Sequence, residues 1–118
     1  MDSILTSIKK LLGIVEEYTQ FDTDVIMHIN SAFSVLTQLG VGPDGGFSIS
    51  DAETTWSDYI PDADRQKIEM LRSYVYLKVR LIFDPPSSSA IIEAMNRQIS
   101  EFEWRLNVAV DSKEENRA

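Results

Sequence analysis

The chain has one histidine, nineteen carboxylates and no cysteine, and these three facts bound the chemistry open to it. His28 is the sole imidazole, so a serine nucleophile would have to use it as base. No G-x-S-x-G turn is present to expose such a serine. Zinc sites of the usual kind draw several ligands from His and Cys, and this chain cannot supply them. The stretch GVGPDGG (40–46) is rich in glycine but lacks the following Lys-Ser/Thr that a phosphate loop needs, so it reads as a turn. Asp44, Asp51, Glu53 and Asp58 are close enough together to suggest calcium. The D-x-D-x-D-G spacing of a calcium loop is missing, and a solvated acidic loop is the plainer reading. Nothing singles out a carboxylate pair for acid–base work. The expectation is a protein with no catalytic residue, no metal and no cofactor, which acts by binding.

Charge points to the kind of binding. The formal net charge is −8, which disfavours a protein that holds nucleic acid by neutralising phosphates. Between Lys10 and Arg65 there is no Lys or Arg, while that stretch carries ten acids; the rest of the chain holds nine acids and all eleven Lys and Arg. The segment 65–80 alone has Arg65, Lys67, Arg72, Lys78 and Arg80 against Glu69. Such a split gives a subunit two unlike faces, one able to meet the other on a neighbour. The bland alternative is a solvated acidic surface with scattered bases. No apolar run approaches the ~20 residues that span a bilayer. Lys9 and Lys10 sit inside the first apolar pattern rather than ahead of it, so the N-terminus reads as a retained helix rather than a signal peptide. Absence of cysteine fits a cytosolic life.

The elements that must carry these residues are mostly helical. Ile4, Leu5, Ile8, Leu11 and Leu12 repeat at helical spacing after Ser3, a plausible cap, and Gly13 ends the run. Val25, Ile26, Ile29, Ala32, Phe33, Leu36 and Leu39 form a second stripe, opened by Asp22 or Thr23 and closed by Gly40. Phe47-Ser48-Ile49 alternates and Thr54-Thr55-Trp56 is rich in strand formers, which predicts a short β-hairpin turning at 50–53. Its rival is a brief helix capped at Ser50-x-x-Glu53. Pro61 and Asp62 open a third helix with a stripe at Ile68, Leu71, Val75, Val79 and Ile82. YVYLKVRLIF (74–83) also alternates as a strand would, but the helical period starts earlier and runs on. Asp84-Pro85-Pro86 stops it. A fourth helix follows Ser87–Ser89 with Ile92, Met95, Ile99, Phe102 and Leu106 on one face, roughly 30 Å long at ~1.5 Å per residue. Residues 111–118 are polar and lack a period, so they are expected to form a flexible tail on a single domain of residues 1–110. The predicted fold is mainly α: a compact bundle of about four helices with a small β-hairpin between the second and third. Trp104, beside the apolar stripe of the last helix, marks either a core edge or an interface. Trp56 either pins the hairpin or grips a partner.

Four blocks carry a resemblance: DTDVIMHINSAFSVLTQLGVGP (22–43), FSISDAETTWSDYI (47–60), SYVYLKVRLIFDPPSSSAI (73–91) and MNRQISEFEWRLNV (95–108). Together they resemble the phage head–tail connector, or adaptor, family of long-tailed phages and prophages. None is a catalytic motif. The resemblance implies a homo-oligomeric ring between the portal protein and a stopper or tail-completion protein. DNA passes through its centre without specific binding, and no membrane is involved. It implies a place in the virion at the head–tail interface and in host cytoplasm during assembly, with the C-terminal segment gripping the portal. The other readings are an accessory DNA-packaging protein, which the acid excess disfavours, and an acidic protein-binding inhibitor.

A ring needs two different patches that meet between copies. On the sequence, the candidates for that contact or for a partner are Asp51, Glu53 and Asp58 on the acidic side and Arg72, Lys78 and Arg80 on the basic side. Trp56, Tyr76 and Trp104 are the candidate apolar grips.

Overall fold

A computed structural model describes residues 3–62 and 64–117, the side chains of 110–117 excepted. Five helices follow in order: α1 (Ile4–Leu12), α2 (Asp22–Gln38), α3 (Trp56–Tyr59), α4 (Arg65–Phe83) and α5 (Ser89–Arg117).

Local hydrogen bonds set most boundaries. The Ser3 hydroxyl accepts from Thr6 N–H at 3.2 Å and caps α1. Gly13, at φ 82°, closes the helix. Its N–H donates to Lys10 C=O at 3.1 Å and Ile14 N–H to Lys9 C=O at 2.9 Å, the paired pattern of a left-handed glycine stop. Gly40 repeats it for α2, with Gly40 N–H on Thr37 C=O and Val41 N–H on Leu36 C=O. The cap of α4 is Asp64, whose carboxylate accepts from Lys67 N–H at 2.8 Å, two residues later than the expected Asp62. α5 begins where Ser88 accepts from Ile91 and Ile92 N–H. Its backbone helix runs to Arg117; Ala118 and the side chains of 110–117, the greater part of the expected tail, lie outside the described residues.

α4 is the central element. It packs most extensively on α2 and then on α1 and α5. Leu71, Tyr74, Val75, Leu77 and Val79 are buried from it, as expected of a helix apolar on most faces. Facing them are Val25, Ile29, Ala32, Phe33 and Leu36 of α2 and Ile4, Leu5 and Ile8 of α1. α5 lies mainly along α4, burying Met95, Ile99 and Leu106, and the molecule measures 48 Å in its longest dimension.

The expected hairpin does not form: among the described residues there is no strand, only an isolated antiparallel bridge between Ser3 and Thr55. Two non-local bonds replace it. The side-chain amide of Asn30 on α2 accepts from Ile49 N–H at 2.8 Å and donates to Ile49 C=O at 2.9 Å, so one side chain does what a facing strand would have done. Thr54 C=O accepts from Ile4 N–H at 3.0 Å, which pairs the second half of the presumed hairpin with the start of α1. Thr55 and Asp58 then bond each other's backbone N–H groups in a capping box, starting α3. The strand-forming Thr54-Thr55-Trp56 thus becomes a bridge and a helix cap, and the rival helix at Ser50–Glu53 does not form either. There, Asp51 accepts from Glu53 N–H in a turn. Phe47, Ile49 and Trp56 still pack inward: rings of Phe33, Phe47 and Tyr59 lie 4.6–5.3 Å apart, with Trp56 6.2 Å from Phe33.

Candidate interaction surfaces

The sequence-nominated residues separate into buried, internally engaged and exposed groups. Trp56 is buried at 2% exposure, with its indole N–H donating to the Ser7 hydroxyl at 2.9 Å. It pins the α3 segment to α1 and presents no free face to a partner. The Arg72 guanidinium lies over this ring, 5.9 Å from its centroid. Arg80 donates to the Tyr76 hydroxyl at 3.0 Å and to Asp84 C=O at 2.7 Å, so Tyr76 and Arg80 are tied together at the end of α4. Lys78 is half-buried on the same helix. Asp51, Glu53 and Asp58 are exposed, though Asp51 and Asp58 also serve the local bonds described above. The acids lie on the loop before α3 and on α3 itself, and the bases along α4.

Between α3 and the start of α4 is an open cleft of about 320 Å³ lined by Trp56, Ser57, Arg65, Ile68, Glu69 and Arg72. Its carboxylate, Glu69, is 3.4 Å from Arg65, so no general acid–base pair is assembled there. His28 is half-buried, its ring 6.5 Å from that of Phe83. Among the described residues no group of three or more His, Cys, Asp or Glu is placed to hold a metal ion. No described helix is long and apolar enough to cross a membrane.

Among the exposed apolar side chains, two groups stand out. One is the outer face of α5. Trp104 is two residues from buried Leu106, ~160° around the helix axis, and is 67% exposed; Val108, one turn on, is 40% exposed. Trp104 is therefore no core edge. Arg105 and Glu101, paired at 2.6 Å, flank it. Glu103 points the other way, accepting from the Tyr74 hydroxyl at 2.7 Å. Burial and that carboxylate both raise the Tyr74 pKa.

The second surface gave little sign of itself in the sequence. Tyr18 and Phe21, from the α1–α2 connector, stack edge to face at 5.5 Å, and Phe21 meets Phe83 of α4 at 5.4 Å. Tyr18 and Phe21 are 43% and 40% exposed, and Ile82 beside Phe83 is 59% exposed. Ile82 was expected in the α4 core stripe. In the structure its side chain stays in solvent, while Phe83 beside it turns toward Phe21. Leu11, expected in the α1 stripe, is likewise exposed.

Lys9 holds the connector. It is only 3% exposed, and its ammonium donates to Glu16 C=O at 3.0 Å and Tyr18 C=O at 2.8 Å. Asp22 Oδ1 lies 2.8 Å away, an ion pair rather than an aligned hydrogen bond. A lysine inside an apolar helical pattern was the available signal; what it reaches for lies outside α1.

A helical domain with exposed apolar and charged surfaces is the outline of an assembly protein. The family model described as phage connector protein matches residues 4–113, nearly the whole chain. The chain belongs to the phage connector protein family. No curated protein and no solved structure gives a significant match. Connector proteins are structural components of the bacteriophage virion that join its head and tail during assembly. This connector therefore works against other head or tail proteins. The family membership spans α1 to α5, so every surface described above lies within it.

Proposed function

We propose that the protein is a head–tail adaptor: a closed homo-oligomeric ring seated between the portal and a stopper or tail-completion protein, with the genome passing through its centre. The observation that carries the reading is a family match running from α1 well into α5. The charge partition supports it. A ring joins two unlike patches, and this subunit has a stretch of ten acids without Lys or Arg and a remainder with a small positive excess. Exposed Asp51, Glu53 and Asp58 supply long-range steering, while Trp56, Arg72, Tyr76 and Arg80 are largely spent inside the subunit.

The acid excess also suits a passive channel, because an acidic lining repels phosphate and offers no ladder of bases to bind it. Two measurements test the proposal. Light scattering over a concentration series, followed by electron microscopy with and without portal, is expected to show rings free or on the portal. Absence of both rings and portal binding would refute the adaptor role. A mobility-shift assay with duplex DNA at low salt is expected to show no retention, and tight binding would overturn the passive channel.

A further inference from the structure

We propose that the loop of residues 40–46 is a lid shut over the Tyr59 hydroxyl, and that it opens on assembly to hand that hydroxyl to a backbone carbonyl of the neighbouring component. The hand-over rests on the adaptor reading; the lid does not.

The first observation is a buried group without a partner. Tyr59 is 1% exposed, its hydroxyl oxygen is buried, and no group of the protein accepts from it or donates to it. Trp56, almost as deeply buried in the same aromatic cluster, does find a partner in Ser7. An interior hydroxyl left unpaired is disfavoured and asks for an explanation. The ring has no escape, because Phe33 and Phe47 hold it at centroid distances of 4.6 and 4.8 Å. Burial also raises its pKa, so the group stays a phenol with a proton to donate.

The second observation is what closes over it. Gly42 comes so near that a Cβ there would lie 3.0 Å from the hydroxyl and 2.6 Å from Cε1. A water molecule in that position would also be too close to the ring. Gly42 is nevertheless exposed on its other side, as are Pro43, Asp44 and Gly45. One thickness of backbone therefore separates the hydroxyl from solvent.

The third is how lightly that cover is fastened. Left-handed glycines bracket it, Gly40 at φ 86° and Gly46 at φ 89°. Among the described residues, 42–45 make no hydrogen bond to the rest of the subunit; their one bond is internal, from Gly46 N–H to Pro43 C=O at 3.0 Å. The near end is pinned by buried Val41, whose N–H donates to Leu36 C=O at 2.9 Å. A swing about Gly40 gives up that bond and frees the hydroxyl to make another. Closed and open states are then close in free energy, and a partner that binds the open one shifts the balance. A carbonyl is the fitting acceptor. The loop carries exposed Asp44 within the stretch that lacks Lys and Arg, where a partner's carboxylate would be repelled.

Tyr59→Phe tests this, since it deletes the hydroxyl and keeps the ring. In the isolated full chain it is expected to raise the urea midpoint by about 0.5 M or more. Hydrogen exchange at the Val41 amide is expected to slow roughly five-fold or more, because opening no longer gives the hydroxyl a partner. On the portal, the same change is expected to raise the half-assembly concentration roughly five-fold or more. A variant that is firmer alone and weaker in assembly is the signature. A lowered midpoint would mean that the hydroxyl is already paired in the free subunit, and would overturn the proposal. Unchanged exchange at Val41 would overturn the lid, and unimpaired assembly would overturn the hand-over. If the parent protein forms neither rings nor a portal complex, the adaptor reading falls and the hand-over with it, while the two measurements on the isolated chain still decide the lid.

Discussion

Gly42→Ala is the most informative single perturbation of the fold. Gly42 sits at φ +89°, and a Cβ built there would be 2.6 Å from Cε1 and 3.0 Å from the hydroxyl of Tyr59. Tyr59 is 1% exposed and locked against Phe33 and Phe47, so its ring cannot swing aside. Two costs add. A non-glycine residue in the left-handed region costs about 1 kcal/mol, and forcing a methyl into a packed site costs about 1–3 kcal/mol. The expected loss is about 2–4 kcal/mol. Gly13→Ala is the internal control: Gly13 has nearly the same dihedral, φ +82°, but nothing within 4 Å of its Cβ, so only the first cost applies. Urea unfolding followed by circular dichroism at 222 nm measures both. With a slope of about 1–2 kcal/mol per molar, Gly42→Ala is expected to lower the midpoint by about 1–4 M and Gly13→Ala by no more than about 1 M. Equal losses at the two glycines would show that the Tyr59 contact yields freely and that the argument from the aromatic cluster is wrong.

Two further outcomes follow from the buried polar groups. Lys9→Met removes the ammonium that serves Glu16 C=O, Tyr18 C=O and Asp22, and is expected to cost about 2–3 kcal/mol, somewhat under the range for a wholly buried pair because Asp22 is 25% exposed. Hydrogen exchange should quicken through residues 13–22; unchanged exchange there would show that the connector is held by other means. The tyrosines set the alkaline limit. Burial raises the pKa of Tyr59 and, with the help of Glu103, that of Tyr74 above the ordinary value of 10.0. The folded state then keeps protons that the unfolded chain releases, so this stabilisation is whole below pH 10 and is lost as pH rises from there toward the folded-state values. Urea midpoints measured from pH 9 upward are expected to fall beyond pH 10, and Tyr74→Phe should flatten part of that fall. A flat profile in the parent protein would refute the burial account.

Much of the connector was legible along the chain. The caps at Ser3, Gly13 and Gly40 and the Asp84-Pro85-Pro86 stop close their bonds or their steric conflicts within about one helical turn, so neighbouring residues reveal them. The buried stripes of α2 and α5 are periodic for the same local reason. The region before α3 was not legible, because its outcome depends on partners far away. Ile49 takes its hydrogen bonds from Asn30, nineteen residues earlier, and Trp56 donates to Ser7, forty-nine residues earlier. Strand propensity at Thr54-Thr55-Trp56 lost to a capping box and to the start of α1 once packing brought them together.

The charge split and the helical class were properties of the sequence itself, since composition and period survive any arrangement of the elements. Tertiary structure alone decided which apolar residues stay in water. It buried Trp56, left Trp104 and Ile82 outside, and gathered Tyr18, Phe21 and Phe83 from two separate segments around a connector gripped by Lys9. Exposure depends on what the rest of the chain places against a side chain, and no residue's own neighbours in sequence contain that information.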